Sequence, residues 1–325
     1  MDGEDPASVP GLPREGFRNY WYPLTASGRV ARRPVTVRAF GEDIALSRSG
    51  GRLTALADDR RGYPVEERFG IVWVFIGEGE APPLEEDLPS QALETNMFPN
   101  STFWEWNCDW RNATENYPDM LHAIFVHRAS LHMVLAPIPV WGKILMELLP
   151  DGKGFGVYHT FGGLQADYPG LGLFPARCWW RTKLPRLSLG RGRGADHRQG
   201  GGEVRMPGYV VLRLHEPFLG FIMVAVQWPY PIDEKRTRTL SLVMTYPRNA
   251  VERLACRLWF NGYYRHTLRQ FVGQDRRLLE SETYRDPEHL SASDAALIQW
   301  RRFALKAARR PNPVDRVCAN VALEA

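Results

Sequence analysis

Over the first quarter of the chain, apolar and polar residues alternate in short runs: Trp21–Leu24, Val35–Phe40, Ile44–Ser47, Leu53–Leu56 and Phe69–Ile76. A period of two predicts strands with one buried face, and Gly41, Gly50, Gly51 and Gly70 predict the turns of hairpins between them. Residues 78–98 lose the alternation and carry Pro82, Pro83 and Pro89, which predicts a connector lying over the surface. Alternation returns at Phe103–Asn107, followed by a helix from about residue 111 in which Pro118 predicts a kink. Phe155–Phe161, Ala176–Lys183, Tyr209–His215 and Phe221–Trp228 are rich in aromatic and branched residues and predict strands of an open antiparallel sheet. Residues 249–283 carry helical periodicity with an interruption near Asn261-Gly262. Ser291 and Asp294 have capping-box spacing ahead of a last helix to about Ala308. The pattern predicts an α+β protein. Residues 1–15 form a loose leader, 16–98 a β-rich region with its connector, 99–310 a helix-and-antiparallel-sheet domain and 311–325 a loose tail.

Composition narrows this picture. The chain has 325 residues, 12% of them aromatic with 11 Trp, which is enough to bury a substantial core. A formal charge of +4 from 41 basic and 37 acidic residues calls for no nucleic-acid partner. Gly- and Arg-rich residues 184–205 predict a mobile loop; without interleaved aromatics, that loop suits an acidic electron-donor protein better than RNA. The four cysteines are widely spaced and imply no disulfide framework. No signal sequence is apparent, and the nine-residue apolar run Phe218–Val226 is too short to span a membrane as a helix. The expected location is the cytoplasm.

The stretch NCDWRNATENYPDMLHAIFVH, residues 107–127, carries the candidate chemistry. It sets His122 and His127 beside Asp119. Two imidazoles and one carboxylate from elsewhere are the minimum protein set for an open-sided iron site, and suit iron, manganese or zinc better than copper(I). His122 and His127 are five apart, so an ideal helix would rotate them about 140° from each other. The helix must end or distort between them. No Glu stands where a zinc protease helix would need one. An ordinary buried, hydrogen-bonded histidine pair competes with the metal reading. His132 is a further candidate ligand, while His159 and His215 are expected to pack or touch substrate.

The run Glu115-Asn116, Asp119, His122, His127 resembles the catalytic motif of Rieske-type non-haem iron oxygenases, specifically the oxygenase (alpha) subunits of the vanillate O-demethylase-like, aromatic-hydroxylating kind. That resemblance implies His122 and His127 as iron ligands. It implies Asp119 as the carboxylate that couples the iron to a neighbouring subunit's cluster, and Asn116 in a supporting catalytic role. It also implies Asp275, in FVGQDRRLLESE, as the third ligand, where the residues alone would favour a solvent-facing partner of the adjacent arginines. FRNYWYPLTASGRV, RGYPVEERFGIVWVFIGEGE and WPYPIDEKRTRTLSLVMTYPR extend the resemblance over most of residues 16–310. The implied architecture is a truncated Rieske-like β region before a helix-grip-like catalytic domain, in a homotrimer.

One part of the family pattern is missing. A Rieske [2Fe–2S] cluster needs CxH and CxxH pairs, whereas the cysteines are Cys108, Cys178, Cys256 and Cys318, in neither pattern, and the first histidine is His122. The ligands of the expected cluster are absent, and Asp59 is followed almost at once by Arg61-Gly62 where the family carries its cluster loops. The resemblance implies a mononuclear Fe(2+) oxygenase using O2 on a small apolar or aromatic molecule, by hydroxylation or oxidative O-demethylation, with electrons from an external ferredoxin or reductase. Direct use of a peroxide-like oxidant, and a damaged or mispredicted gene, are also open. The main alternative is an inactive family member that binds a small molecule or assembles with a full-length oxygenase; hydrolysis at zinc is a second.

Overall fold

The computed structural model describes residues 11–31, 33–119, 122, 126–127, 130, 143–160, 201–215, 222–283, 290 and 294–309. The first strands are β1 (Tyr20–Ala26), β2 (Val35–Ala39), β3 (Glu42–Ser49), β4 (Arg52–Ala57), β5 (Gly62–Tyr63), β6 (Val65–Arg68) and β7 (Ile71–Ile76), with the one-turn helix α1 (Ser27–Val30) after β1. They form two small antiparallel sheets, ordered β1-β7-β6 and β2-β3-β4-β5. The strand predicted from Phe69 starts two residues later. Phe69 and Gly70 are the centre of the β6–β7 turn with φ of 60° and 71°, the left-handed geometry that matches hairpin twist.

The β4–β5 junction, where the cluster loops would be inserted, is a closed turn. Ala57 N–H donates to the Arg61 carbonyl (2.9 Å), Arg60 N–H to the Ala57 carbonyl (2.9 Å) and Arg61 N–H to Asp59 Oδ1 (2.9 Å). Arg60 takes the left-handed conformation this closure needs, with φ of 65°.

β8 (Phe98–Trp106), β9 (Lys143–Leu148), β10 (Gly154–Thr160), β11 (Gly201–Arg205), β12 (Tyr209–His215), β13 (Ile222–Asp233) and β14 (Arg236–Thr245) build a seven-stranded antiparallel sheet. Its order is β8-β14-β13-β12-β11-β10-β9. Residues 201–205, expected to belong to a Gly/Arg-rich loop, are strand β11; Val204 is buried on it, and the buried Glu203 and Arg205 are joined by an ion pair of 2.8 Å. Local composition could not reveal that pairing, because β10 and β12 supply it from distant sequence. Residues 184–200, and the strand expected over Ala176–Lys183, lie outside the described residues.

The two small sheets share one apolar core with the large one. Trp73 meets Trp228 edge to face at 5.2 Å, Tyr230 donates its hydroxyl to the Pro23 carbonyl (2.7 Å), and Phe40 N–H donates to the Pro231 carbonyl (2.8 Å). All six residues of β7 are buried. So few strands enclose little core of their own; the long strand β13 supplies the rest. The connector does more than cover the surface. It buries Leu84, Leu88 and Ala92, and Asp87 inside it binds the Arg309 guanidinium through both oxygens (2.6 and 3.1 Å).

The remaining helices are α2 (Trp110–Glu115), α3 (Ala250–Trp259), α4 (Arg265–Leu279) and α5 (Ala295–Ala307). A π turn over Phe260–Tyr264 joins α3 to α4, at the predicted interruption. α2 ends before Pro118 instead of running through it as a kinked helix, and residues 116–118 form a turn, since a residue preceding proline is disfavoured in helical conformation. Asp294 immediately precedes α5, and the capping box expected between it and Ser291 cannot be followed because Ser291 lies outside the described residues.

Candidate metal centre

The segment after β8 is anchored from both sides before it reaches the histidines. Asp109 caps α2 by accepting from Arg111 N–H (2.9 Å), as a short carboxylate does at a helix start. At the other end of α2, Glu115 holds Arg301 of α5 in a bidentate pair, with Nε–Oε1 and a terminal nitrogen–Oε2 distances both 2.7 Å; the two side chains are 6% and 3% exposed. A charge pair so dry resists breakage because either partner alone would be stranded.

Asn116 caps α2 through its backbone, and its buried side-chain nitrogen has no hydrogen-bond partner among the described residues. Asp119 follows and turns toward His122: Oδ1 accepts from His122 N–H (3.3 Å), and the Asp119 carbonyl lies against His122 Nδ1. The backbone is helical at His122 and Val126 and bends at His127. The two rings stand 5.5 Å apart at 74°, so His122 and His127 converge despite their five-residue spacing.

The third group arrives from α4. Asp275 is buried, whereas Arg276 and Arg277 face outward. Its Oδ1 lies 3.1 Å from His127 Nε2 and 3.8 Å from His122 Nε2. One ligand atom from each of His122, His127 and Asp275 falls within 4.8 Å of the others. Phe271, one turn before Asp275, packs its ring 4.5 Å from that of His127.

The hydrogen bonding of the rings tests whether a cation fits. His127 Nδ1 donates to Gln274 Oε1 (2.9 Å), and His122 Nδ1 faces a carbonyl that can only accept. With the proton on each Nδ1, both Nε2 atoms present lone pairs to the carboxylate. Accordingly Asp275 Oδ1 is buried without a hydrogen-bond donor despite its closeness to His127. A positive ion stabilises three acceptors converging in a buried space, and two neutral imidazoles with one carboxylate are an Fe(II)-type ligand set with open positions.

Sequence reasoning missed Gln274, Tyr117 and the Glu115–Arg301 pair. Burial and then the charge of Asp275 push the Tyr117 phenol well above its usual range, so it stays a neutral donor beside the site. Gln274 stands next to a candidate ligand, but nothing in the sequence points its amide at a histidine 147 positions earlier. The described cysteines, Cys108 and Cys256, are both buried, and burial pushes the Cys108 thiol up to about 12. No Rieske-type ligand set is present among the described residues, and none stands in the sequence. His132 lies outside the described residues. His159 lies on β10 and His215 at the end of β12, and neither belongs to the three-ligand cluster.

Comparison with known proteins agrees with this geometry. Residues 75–140 match a family described as homotrimeric ring hydroxylase. The chain is 25% identical to the terminal oxygenase component of carbazole 1,9a-dioxygenase from a Sphingomonas species, over 89% of this chain and 91% of that protein. That match spans 377 positions, more than this chain's 325 residues, so the relative carries segments with no counterpart here. The solved terminal oxygenase of carbazole 1,9a-dioxygenase from Nocardioides aromaticivorans shares the fold, with a TM-score of 0.71 over 94% of this chain and 97% of that one at 19% identity. The Novosphingobium enzyme gives 0.68 over 91% and 94% at 22% identity. The chain is similar in sequence and in fold to these terminal oxygenase components, with a β-rich N-terminal region before a larger helix-and-sheet region. It carries a mononuclear iron ligand set and no ligands for the cluster. No helix among the described residues is long and apolar enough to cross a membrane.

Proposed function

We propose that the chain is the oxygenase component of an O2-dependent hydroxylating or O-demethylating system for a small aromatic molecule, cytoplasmic and homotrimeric, with electrons delivered by a separate ferredoxin-type protein. The observation that carries this reading is the convergence of one ligand atom each from His122, His127 and Asp275 within 4.8 Å of one another. His122, His127 and Asp275 would hold Fe(II), which when bound supplies the site for O2 and its reduction. Related oxygenases have been solved with ferredoxin, and with carbazole or fluorene bound, which supports an aromatic substrate and a protein donor. Oxidative O-demethylation of a vanillate-like substrate is the finer form of the same reading.

The chain's own residues take distinct parts in it. Gln274 fixes His127 in the tautomer that turns Nε2 to the metal, and the Asp119 carbonyl does the same for His122. The Asp119 carboxylate, on the His122 amide, holds the first turn of the ligand segment. Tyr117 keeps its proton next to Asp275, and Asn116, with an amide nitrogen free inside the site region, serves as a donor to bound substrate or water. Phe271 covers one face of His127 and excludes water there.

Iron analysis of anaerobically purified protein tests the reading. About one Fe per chain is expected, dropping to near none in His122→Ala and Asp275→Ala, because two remaining ligands hold the ion poorly. Unchanged iron in either variant would overturn the assignment.

A further inference from the structure

The helix that delivers Asp275 is charged asymmetrically. Between residues 250 and 279, the acids Glu252 and Asp275 are both buried, whereas Arg253, Arg257, Arg265, Arg269, Arg276 and Arg277 are all exposed. The two ends of this face are tied: Arg253 and Arg257 lie over the Phe98 ring at 5.7 and 5.8 Å, and Arg276 pairs with Glu280 at 2.9 Å. Arg265, Arg269 and Arg277 have no ion pair among the described residues. Alongside them α3 exposes Val251 (78%), Leu254 (56%) and Leu258 (64%), at helical spacing on one side. A Cβ at Gly273, level with these arginines on α4, would meet nothing within 4 Å, so a partner can come close to the helix backbone there.

We infer that the outer face of α3 and α4 is the docking surface for a small acidic electron-carrier protein. This rests on the oxygenase reading above and names where its donor binds. Aliphatic side chains beside a set of guanidinium groups match a partner with carboxylates around an apolar contact. Among the described residues of this face the one exposed ring is the His266 imidazole, too few rings for successive bases to stack, so a nucleic acid fits it poorly. Position supplies the functional argument: the α4 part of this surface, with Arg269 and Arg277 exposed, belongs to the same helix that buries Asp275, and a helix is only about 10–12 Å across. A carrier seated here comes near the iron ligands without any cluster in the chain. Each encounter would oxidise the carrier by one electron, and two encounters would supply the two electrons consumed when O2 is reduced at a site held by His122, His127 and Asp275.

The test uses the full chain loaded with Fe(II) and, as probe, a plant-type [2Fe–2S] ferredoxin of strongly negative charge, with binding followed by calorimetry at 50 and 300 mM salt. Saturable binding is expected at low salt, weakened roughly tenfold or more by added salt and by Arg265→Glu/Arg269→Glu. Leu254→Ser/Leu258→Ser should weaken it several-fold. Iron content should be unchanged in both variants. Should the charge reversal disturb folding, Arg265→Gln/Arg269→Gln should show the same trend at smaller amplitude. No ferredoxin binding, or binding indifferent to these substitutions, overturns the inference. So does a change of oligomeric state on charge reversal, which would give the face to a second copy, or preferential binding of duplex DNA. A chain that binds ferredoxin in this charge-dependent way but holds no iron keeps the surface and sinks the oxygenase reading; a chain that holds iron and ignores ferredoxin does the reverse.

Discussion

The β4–β5 turn and the iron-ligand cluster are the two places where a Rieske-type oxygenase would concentrate its metals, and here they have opposite characters. At the turn the backbone closes on itself, with Ala57, Asp59 and Arg61 satisfying one another. Nothing is left open. At the cluster, acceptors face acceptors: Asp275 Oδ1 lies buried with no hydrogen-bond donor among the described residues. Buried polar atoms without partners are costly, so the second region requires a ligand and the first does not. The comparison teaches that losing the cluster segment need not disturb the iron site, because the two are joined through an apolar core, Trp73 on Trp228 and Tyr22 near Tyr230, and not through shared ligands.

Substitutions in the two regions should differ in effect. The largest effect is expected from Asp275→Ala, which should abolish iron binding as read by metal analysis while leaving the N-terminal sheets folded by circular dichroism. Next, Arg301→Leu should lower stability by about 3–5 kcal/mol in urea unfolding, since it strands the Glu115 carboxylate in a dry site. Trp73→Ala should cost a similar ~3–5 kcal/mol through the cavity left against Trp228; a much smaller loss would mean that the two regions are not energetically joined. Gln274→Leu should weaken metal binding by roughly 10–100-fold, measured by competition with a chelator, with little change in stability. The smallest effect is expected at the turn. Lengthening residues 58–61 by four glycines and serines should change stability by less than about 1 kcal/mol and leave iron content untouched. A large loss of iron there would show that the regions communicate after all.

The pH dependence of folding carries a further, smaller check at Asp87. Burial raises its pKa despite the Arg309 guanidinium. A carboxyl whose folded pKa lies above its unfolded value favours the folded state as pH falls through that raised pKa, and the benefit is lost as pH rises past it. Asp87→Asn should therefore flatten stability on the acid side, seen by comparing urea midpoints at pH 4 and 6.

Much of this protein was legible in its amino-acid order. The pattern of apolar residues marked β1 to β4, β7, β8, β10, β12 and β13 but not β9, β11 or β14, and the interruption at Asn261-Gly262 marked the π turn, because these signals are local and repeat with the period of the backbone. The motif around Asp119, His122 and His127 carried the resemblance, and the missing CxH and CxxH pairs excluded an internal cluster outright. Other features needed three dimensions. That Asp275 faces inward while its neighbouring arginines face out depends on the packing of α4, and that residues 201–205 are a strand depends on partners far along the chain. The protonation pattern of the two histidines rests on a glutamine and a carbonyl that sequence order does not connect to the rings. Period and composition record what each residue does with its immediate neighbours; which buried acceptors come to face one another is decided only when distant segments fold into contact.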